Sequence, residues 1–164
     1  MSKLIEGDII SPFTAKILTD PTDITTEKDF TEKDLIGKWS VIYFYPKDMT
    51  PGCTTEACEF RDAYKFFLDN GYNLFGVSTD STKSHVKFSQ KHELPFTLIA
   101  DESKSIVKAF DVYREKSMFG KKYMGIERTT FIVDPHGKAA AKWEKVKPNG
   151  HTAEVIAKLK DLVS

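Results

Sequence analysis

Apolar residues along this chain fall into short continuous runs separated by stretches with helical spacing. The run Ser40–Tyr45, "SVIYFY", is rich in β-branched and aromatic side chains and predicts a strand buried on both faces. Pro46 and Pro51-Gly52 break it. From Thr54 onward Ala57, Phe60, Tyr64, Phe67 and Leu68 recur every three to four residues, which predicts a helix. Thr54 or Thr55 can cap it, and Asn70-Gly71 stops it. Further on, "NLFGVS" (Asn73–Ser78) reads as a strand, "STKSHVKFSQKHE" as a helix, "FTLIAD" as a strand and "SKSIVKAFDV" as a short helix. "RTTFIVDPHGKAAAKWEKV" reads as a β-hairpin turning at Asp134-Pro135-His136-Gly137, and Thr152–Val163 as a closing amphipathic helix. The first third is polar and rich in turns, with one short strand in "SPFTAKILTD" and a loop or hairpin ahead of Gly37.

Strand, helix and strand from Ser40 to Ser78 make a βαβ unit, whose strands run parallel with a right-handed crossover. The later hairpin adds antiparallel strands. The order predicts an α/β fold that resembles the thioredoxin-like arrangement: a mixed central sheet flanked by helices on both faces. With 164 residues, no internal repeat and no linker, the chain reads as a single domain over residues 1–164. Acids and bases balance at 24 each, so no broad field recruits nucleic acid or an anionic membrane surface. No apolar run approaches the roughly 20 residues that span a bilayer. The start, "MSKLIEGD", is too polar for a secretory signal, which makes a cytoplasmic location the expectation. In that reducing setting, two cysteines serve catalysis or a metal more often than a structural disulfide.

Those two, Cys53 and Cys58, lie in "YFYPKDMTPGCTTEACEFRD" with four residues between them. That spacing suits neither a zinc knuckle nor a CxxC pair, and His85, His92, His136 and His151 are scattered, so no metal site is expected. Cys53 falls beyond the C-terminal end of a central strand and at the start of a helix, where unpaired N–H groups and the helix dipole favour a thiolate. A thiol with an ordinary pKa of about 8.5 is only ~3% ionised at neutral pH, and a shift to near 6 requires roughly 3.4 kcal/mol. A helix terminus supplies about 1–2 kcal/mol of that, so a cation is needed. Of the three arginines, Arg61 is about 12 Å along the same helix, Arg114 falls in a loop, and Arg128 begins a strand able to run beside that of Cys53. Arg128 is the candidate. The Thr50 hydroxyl and the N–H groups of Gly52 and Cys53 can bind an oxygen, while Pro46 and Pro51 stiffen the loop and exclude water. Plainer roles stay open: Cys58 as a packing residue, Thr50 as a turn hydroxyl, Pro46 as a strand terminator and Arg128 in a surface ion pair. Glu56 reads as a capping-box residue.

The segment "PKDMTPGC" matches the PxxxTxxC signature of peroxiredoxins, and the longer run resembles their bacterioferritin comigratory protein, or Q, branch. The likeness continues through "GVSTDS", "LPFTLIAD", "KKYMGIERTTFIVD" and "KVKPNGH" to the C-terminus. The resemblance implies that Cys53 is the peroxidatic cysteine, Thr50 orients the peroxide, Pro46 shields the pocket and Arg128 lies beside the thiolate. Cys58 occupies the position of the resolving cysteine. It also implies a hydroperoxide substrate, a sulfenic acid resolved to a disulfide, no bound cofactor, a thioredoxin-type dithiol reductant and a monomer or weak homodimer. Residues five apart on a helix point about 140° apart with a rise of about 7.5 Å, so the Cys53–Cys58 disulfide requires Thr54–Cys58 to unwind. Two other functions compete: a thiol–disulfide oxidoreductase without peroxidase activity, which lacks the usual CxxC, and a redox-sensing binding module.

Overall fold

The computed structural model describes residues 6–164; the first five residues of the polar start "MSKLIEGD" lie outside them. A central strand, β3 (Ser40–Phe44), organises the rest. All five of its residues are buried, and their side chains alternate between two cores: Ile42 and Phe44 enter one, Val41 and Tyr43 the other. Burial on both faces is what its unbroken apolar run requires. With β1 (Thr14–Leu18), β2 (Glu27–Thr31), β4 (Asn73–Ser78), β5 (Thr97–Ala100), β8 (Thr129–Val133) and β9 (Ala139–Trp143) it forms a sheet of order β2-β1-β5-β4-β3-β8-β9. β4 pairs with β3 and β5 in parallel, whereas β8 pairs with β3 antiparallel.

The helices α1 (Pro51–Asp62), α2 (Tyr64–Asn70), α3 (Thr82–His92) and α5 (His151–Val163) bring Phe60, Phe67, Phe88, Val155 and Leu159 to one core. On the other face the five-residue α4 (Ser105–Ala109) contributes Ile106 and Val107, joined by Phe13 and Leu35 from the N-terminal segment. This is the thioredoxin-like fold that the element order predicts, with the helices unevenly shared between the faces.

Three elements differ from the sequence reading. The helix begins at Pro51, so neither Thr54 nor Thr55 caps it; Thr50 is the N-cap, in an extended conformation and without a side-chain cap bond. Proline suits this first turn because its missing N–H would have no partner there. The helix then breaks at Ala63 (φ −99°, ψ 3°) into α1 and α2, and Leu68 faces solvent at 62% exposure. Finally, β6 (Tyr113–Met118) and β7 (Lys121–Ile126) form a separate antiparallel hairpin, which places Arg114 on a strand and not in a loop. Its turn residues Phe119 (φ 52°) and Gly120 (φ 78°) both occupy the left-handed region that a two-residue hairpin turn demands. Because Phe-Gly is not a usual turn pair and the strands are mostly exposed, the pattern hid it.

The parallel pairing of β3 with β4 is tight at Gly76, opposite Tyr43. A Cβ there would meet the Tyr43 ring and hydroxyl at 2.7 Å and Leu98 at 2.9 Å. Gly76→Ala is therefore expected to overpack the sheet and cost about 3 kcal/mol in urea denaturation; an unchanged midpoint would contradict this packing.

Candidate active site

The chain leaves β3 at Tyr45, whose N–H still donates to Val77 O (3.0 Å), and turns through residues 46–50 into α1. Met49 adopts φ 68°, and Thr50 donates its hydroxyl to Lys47 O (2.9 Å) while its own carbonyl accepts from Thr54 N–H (2.9 Å). With that donor engaged, the lone pairs of the Thr50 hydroxyl remain to accept from an incoming O–H. Pro46 is half-buried at the exit of β3. Cys53 follows in the first turn of α1, buried at 1% exposure, where helix N–H groups lack intrahelical acceptors.

Arg128, immediately before β8, reaches this sulfur. Its Nη2 donates to Cys53 Sγ at 3.3 Å and its Nη1 to Glu56 Oε1 at 2.7 Å. The antiparallel register that pairs Phe44 with Thr129 carries Arg128 to the C-terminal end of β3. Gly52 clears the approach: a Cβ there would lie 3.2 Å from Arg128 Nη2 and 3.4 Å from Pro148 Cγ. Burial alone would lower the pKa of Arg128; Glu56 and Cys53 outweigh it and raise the pKa, so the guanidinium stays charged. A second cation, Lys116 of β6, has its pKa lowered by burial and by Arg128, and lies within electrostatic reach of Cys53.

Glu56 is not a capping residue. It is fully buried, and desolvation pushes its carboxyl up to about 7 despite the opposing pull of Arg128. Its Oε2 has no hydrogen-bond partner. The signal was present in the sequence: Cys53, Glu56, Ala57 and Phe60 follow the i, i+3, i+4, i+7 spacing of the buried face, and a carboxylate on such a stripe demands a partner.

The structure thus brings Arg128 into direct contact with both Cys53 and Glu56, with Thr50 and Pro46 on the adjoining loop. Cys58 lies on the same helix, half-buried, and both thiols are free. Arg61 donates to His92 O (2.9 Å) and pairs with Asp62, away from Cys53. No histidine joins the cysteines in a metal-binding group among the described residues.

The sequence profile of the AhpC/TSA family matches residues 7–142. The chain is 52% identical to peroxiredoxin Bcp of Bacillus subtilis over 129 residues, covering 79% of this chain and 82% of that protein. It is 48% identical to a putative peroxiredoxin bcp of Coxiella burnetii over 145 residues, covering 88% and 95%. Among solved structures, a cysteine-to-serine mutant of Xylella fastidiosa PrxQ superposes with a TM-score of 0.87 at 35% identity, covering 100% of each chain. Xanthomonas campestris bacterioferritin comigratory protein, described for its alkyl peroxide reduction activity, gives 0.83 at 39% identity over 98% of each. The buried cysteine under its arginine, the fold and these likenesses agree: the chain belongs to the AhpC/TSA family, within its Bcp or Q branch of peroxiredoxins.

Proposed function

We propose that this protein is a thiol peroxidase that reduces hydrogen peroxide and organic hydroperoxides through Cys53. The observation that carries the reading is the Arg128 guanidinium, which donates to the Cys53 sulfur at 3.3 Å and remains charged when buried. The thiolate attacks the terminal oxygen of the peroxide. As the S–O bond forms and the O–O bond breaks, the alkoxide or hydroxide leaves and takes up a proton, and Cys53 becomes a sulfenic acid. Thr50 accepts from the peroxide O–H, the first-turn N–H groups and Arg128 stabilise the departing negative charge, and Pro46 keeps water from the sulfur. The alkyl peroxide activity described for the Xanthomonas relative supports extending the substrates beyond hydrogen peroxide.

Cys58 then attacks the Cys53 sulfur and expels water, leaving an intrachain disulfide. Both residues belong to α1, and five helical positions hold their Cα atoms beyond disulfide reach, so Thr54–Cys58 must unwind. Glu59, whose carboxylate accepts from Gly150 N–H at 3.0 Å, anchors the helix just beyond that segment. A disulfide closing so short a loop is accessible to exchange, and a thioredoxin-type dithiol protein in the reducing cytoplasm returns the two electrons.

One equivalent of hydrogen peroxide is expected to remove two hydrogens and both free thiols from the wild type, and to add one oxygen to Cys58→Ser, as read by intact mass. If neither mass moves within minutes, the peroxidase reading falls. Amide exchange across residues 54–62 should be markedly faster in the oxidised form, and equal protection in both forms would exclude the unwinding. Glu56 generates a third expectation. Its folded pKa of about 7 lies above the 4.5 of an exposed carboxyl, so its favourable contribution is complete below pH 4.5 and is lost as pH rises to about 7. Urea denaturation should show wild-type stability falling relative to Glu56→Gln over that window, by on the order of 3 kcal/mol, and levelling above it. A pH-independent difference between the two would rule out titration of Glu56.

A further inference from the structure

Beneath the loop that shapes the pocket lies a second buried polar assembly, centred on Asp48 and separate from the Cys53–Arg128–Glu56 group. The Asp48 side chain is 2% exposed. Its Oδ1 accepts from Tyr45 Oη–H at 2.6 Å, and its Oδ2 accepts from Ser84 Oγ–H at 2.8 Å and faces His85 Nδ1 at 2.7 Å. Its own N–H donates to Asp80 Oδ2 at 2.8 Å, an oxygen that also accepts from the Ser78 hydroxyl at 2.7 Å. One residue of the loop is therefore tied to the end of β3, the end of β4 and the first turn of α3.

His85 completes the assembly. Its ring is buried, and Nε2 lies 3.0 Å from Ile99 O in β5, an oxygen that can only accept. Nε2 therefore donates, which fixes the ring with Nδ1 facing Asp48 Oδ2. Away from water, each of these bonds is costly to leave unmade, so the group holds one geometry.

The next residue shows what is being held. Met49 has φ 68°, a left-handed conformation that is uncommon for a residue with a side chain. Met49 itself is 42% exposed, so burial of its side chain does not account for the conformation. Asp48, fixed on both its side chain and its backbone, does. The turn at Met49 in turn sets Thr50, at the N-cap of α1.

We propose that Asp48 and His85 are positioning residues for the peroxide pocket, locking residues 46–50 so that the Thr50 hydroxyl meets the peroxide at the right place. This rests on the reading of Cys53 and Thr50 given above. The sulfur itself is set by α1 and Arg128, outside the lock. Loosening the lock therefore separates two reactions of the same thiol: peroxide reduction, which uses Thr50, and alkylation, which does not.

The test compares the second-order rate of Cys53 with hydrogen peroxide and with iodoacetamide at neutral pH, all in a Cys58→Ser background. Asp48→Asn and His85→Ala should lose about 10- to 100-fold with peroxide, the scale of a misplacement near 1 Å, and stay within about twofold with iodoacetamide. Ser84→Ala removes a single donor and serves if the stronger variants fail to fold; its peroxide rate should drop about fivefold. Parallel losses with both reagents would reduce the group to a structural role, and no loss with either would remove the role; both overturn the proposal. Amide exchange decides the lock independently of the chemistry. Faster exchange of the Asp48 amide, which donates to Asp80, in the variants upholds it even if the wild type proves to be no peroxidase, and equal protection overturns it.

Discussion

One guanidinium is shared between a sulfur and a carboxylate, and much of the fold serves that contact. Arg128 reaches Cys53 because β8 runs antiparallel to β3 in a register that ends with Thr129 opposite Phe44. Cys53 is there to be reached because the chain leaving β3 turns within a few residues into α1. Gly52 leaves the gap through which the two meet. A buried ion pair of this kind is weak support for stability, since desolvation offsets most of the attraction. Its value lies in placement: a cation that stays charged, two donors aimed at fixed points, and no water between.

Glu56 gives that arrangement its particular character. A neutral side chain of the same size would leave the whole guanidinium charge to the sulfur. The carboxyl instead titrates near neutrality, so the charge that Arg128 offers the sulfur depends on whether its other partner carries a proton. The exposed ion pairs of the surface, such as Lys65–Asp69, have no comparable reach, because solvent screens them.

The central strands, the βαβ unit, the hairpin of β8 and β9 and the cysteine at the head of α1 were legible in the sequence because each follows from local pattern. Arg128 was legible by elimination among three arginines together with strand order. The remainder depends on three-dimensional contacts that no local pattern records. Glu56 passed for a cap because its partner lies 72 residues away. Asp48 carried no signal of its own in the sequence, since Ser84 and His85 meet it only through the parallel pairing of β3, β4 and β5. The β6–β7 hairpin lacks the alternation of a half-buried strand because so little of it is buried, and Phe119 at its turn is 98% exposed.

The interruption at Ala63 has a consequence for how far disorder can travel. Helix melting is cooperative along a continuous hydrogen-bonded ladder, so opening one end of an unbroken rod from Pro51 to Asn70 would tend to fray the whole. Here the ladder is irregular at Ala63, whose N–H is shared between Glu59 O and Phe60 O (3.2 Å each) and whose carbonyl accepts from Phe66 N–H. The segment α2 is separate and short, held by Phe67 in the core and closed by Gly71 at its C-terminus. The interruption works as a firebreak: under the proposed disulfide cycle, the first turns of α1 would open and reform while α2, and the core beneath it, keep their shape.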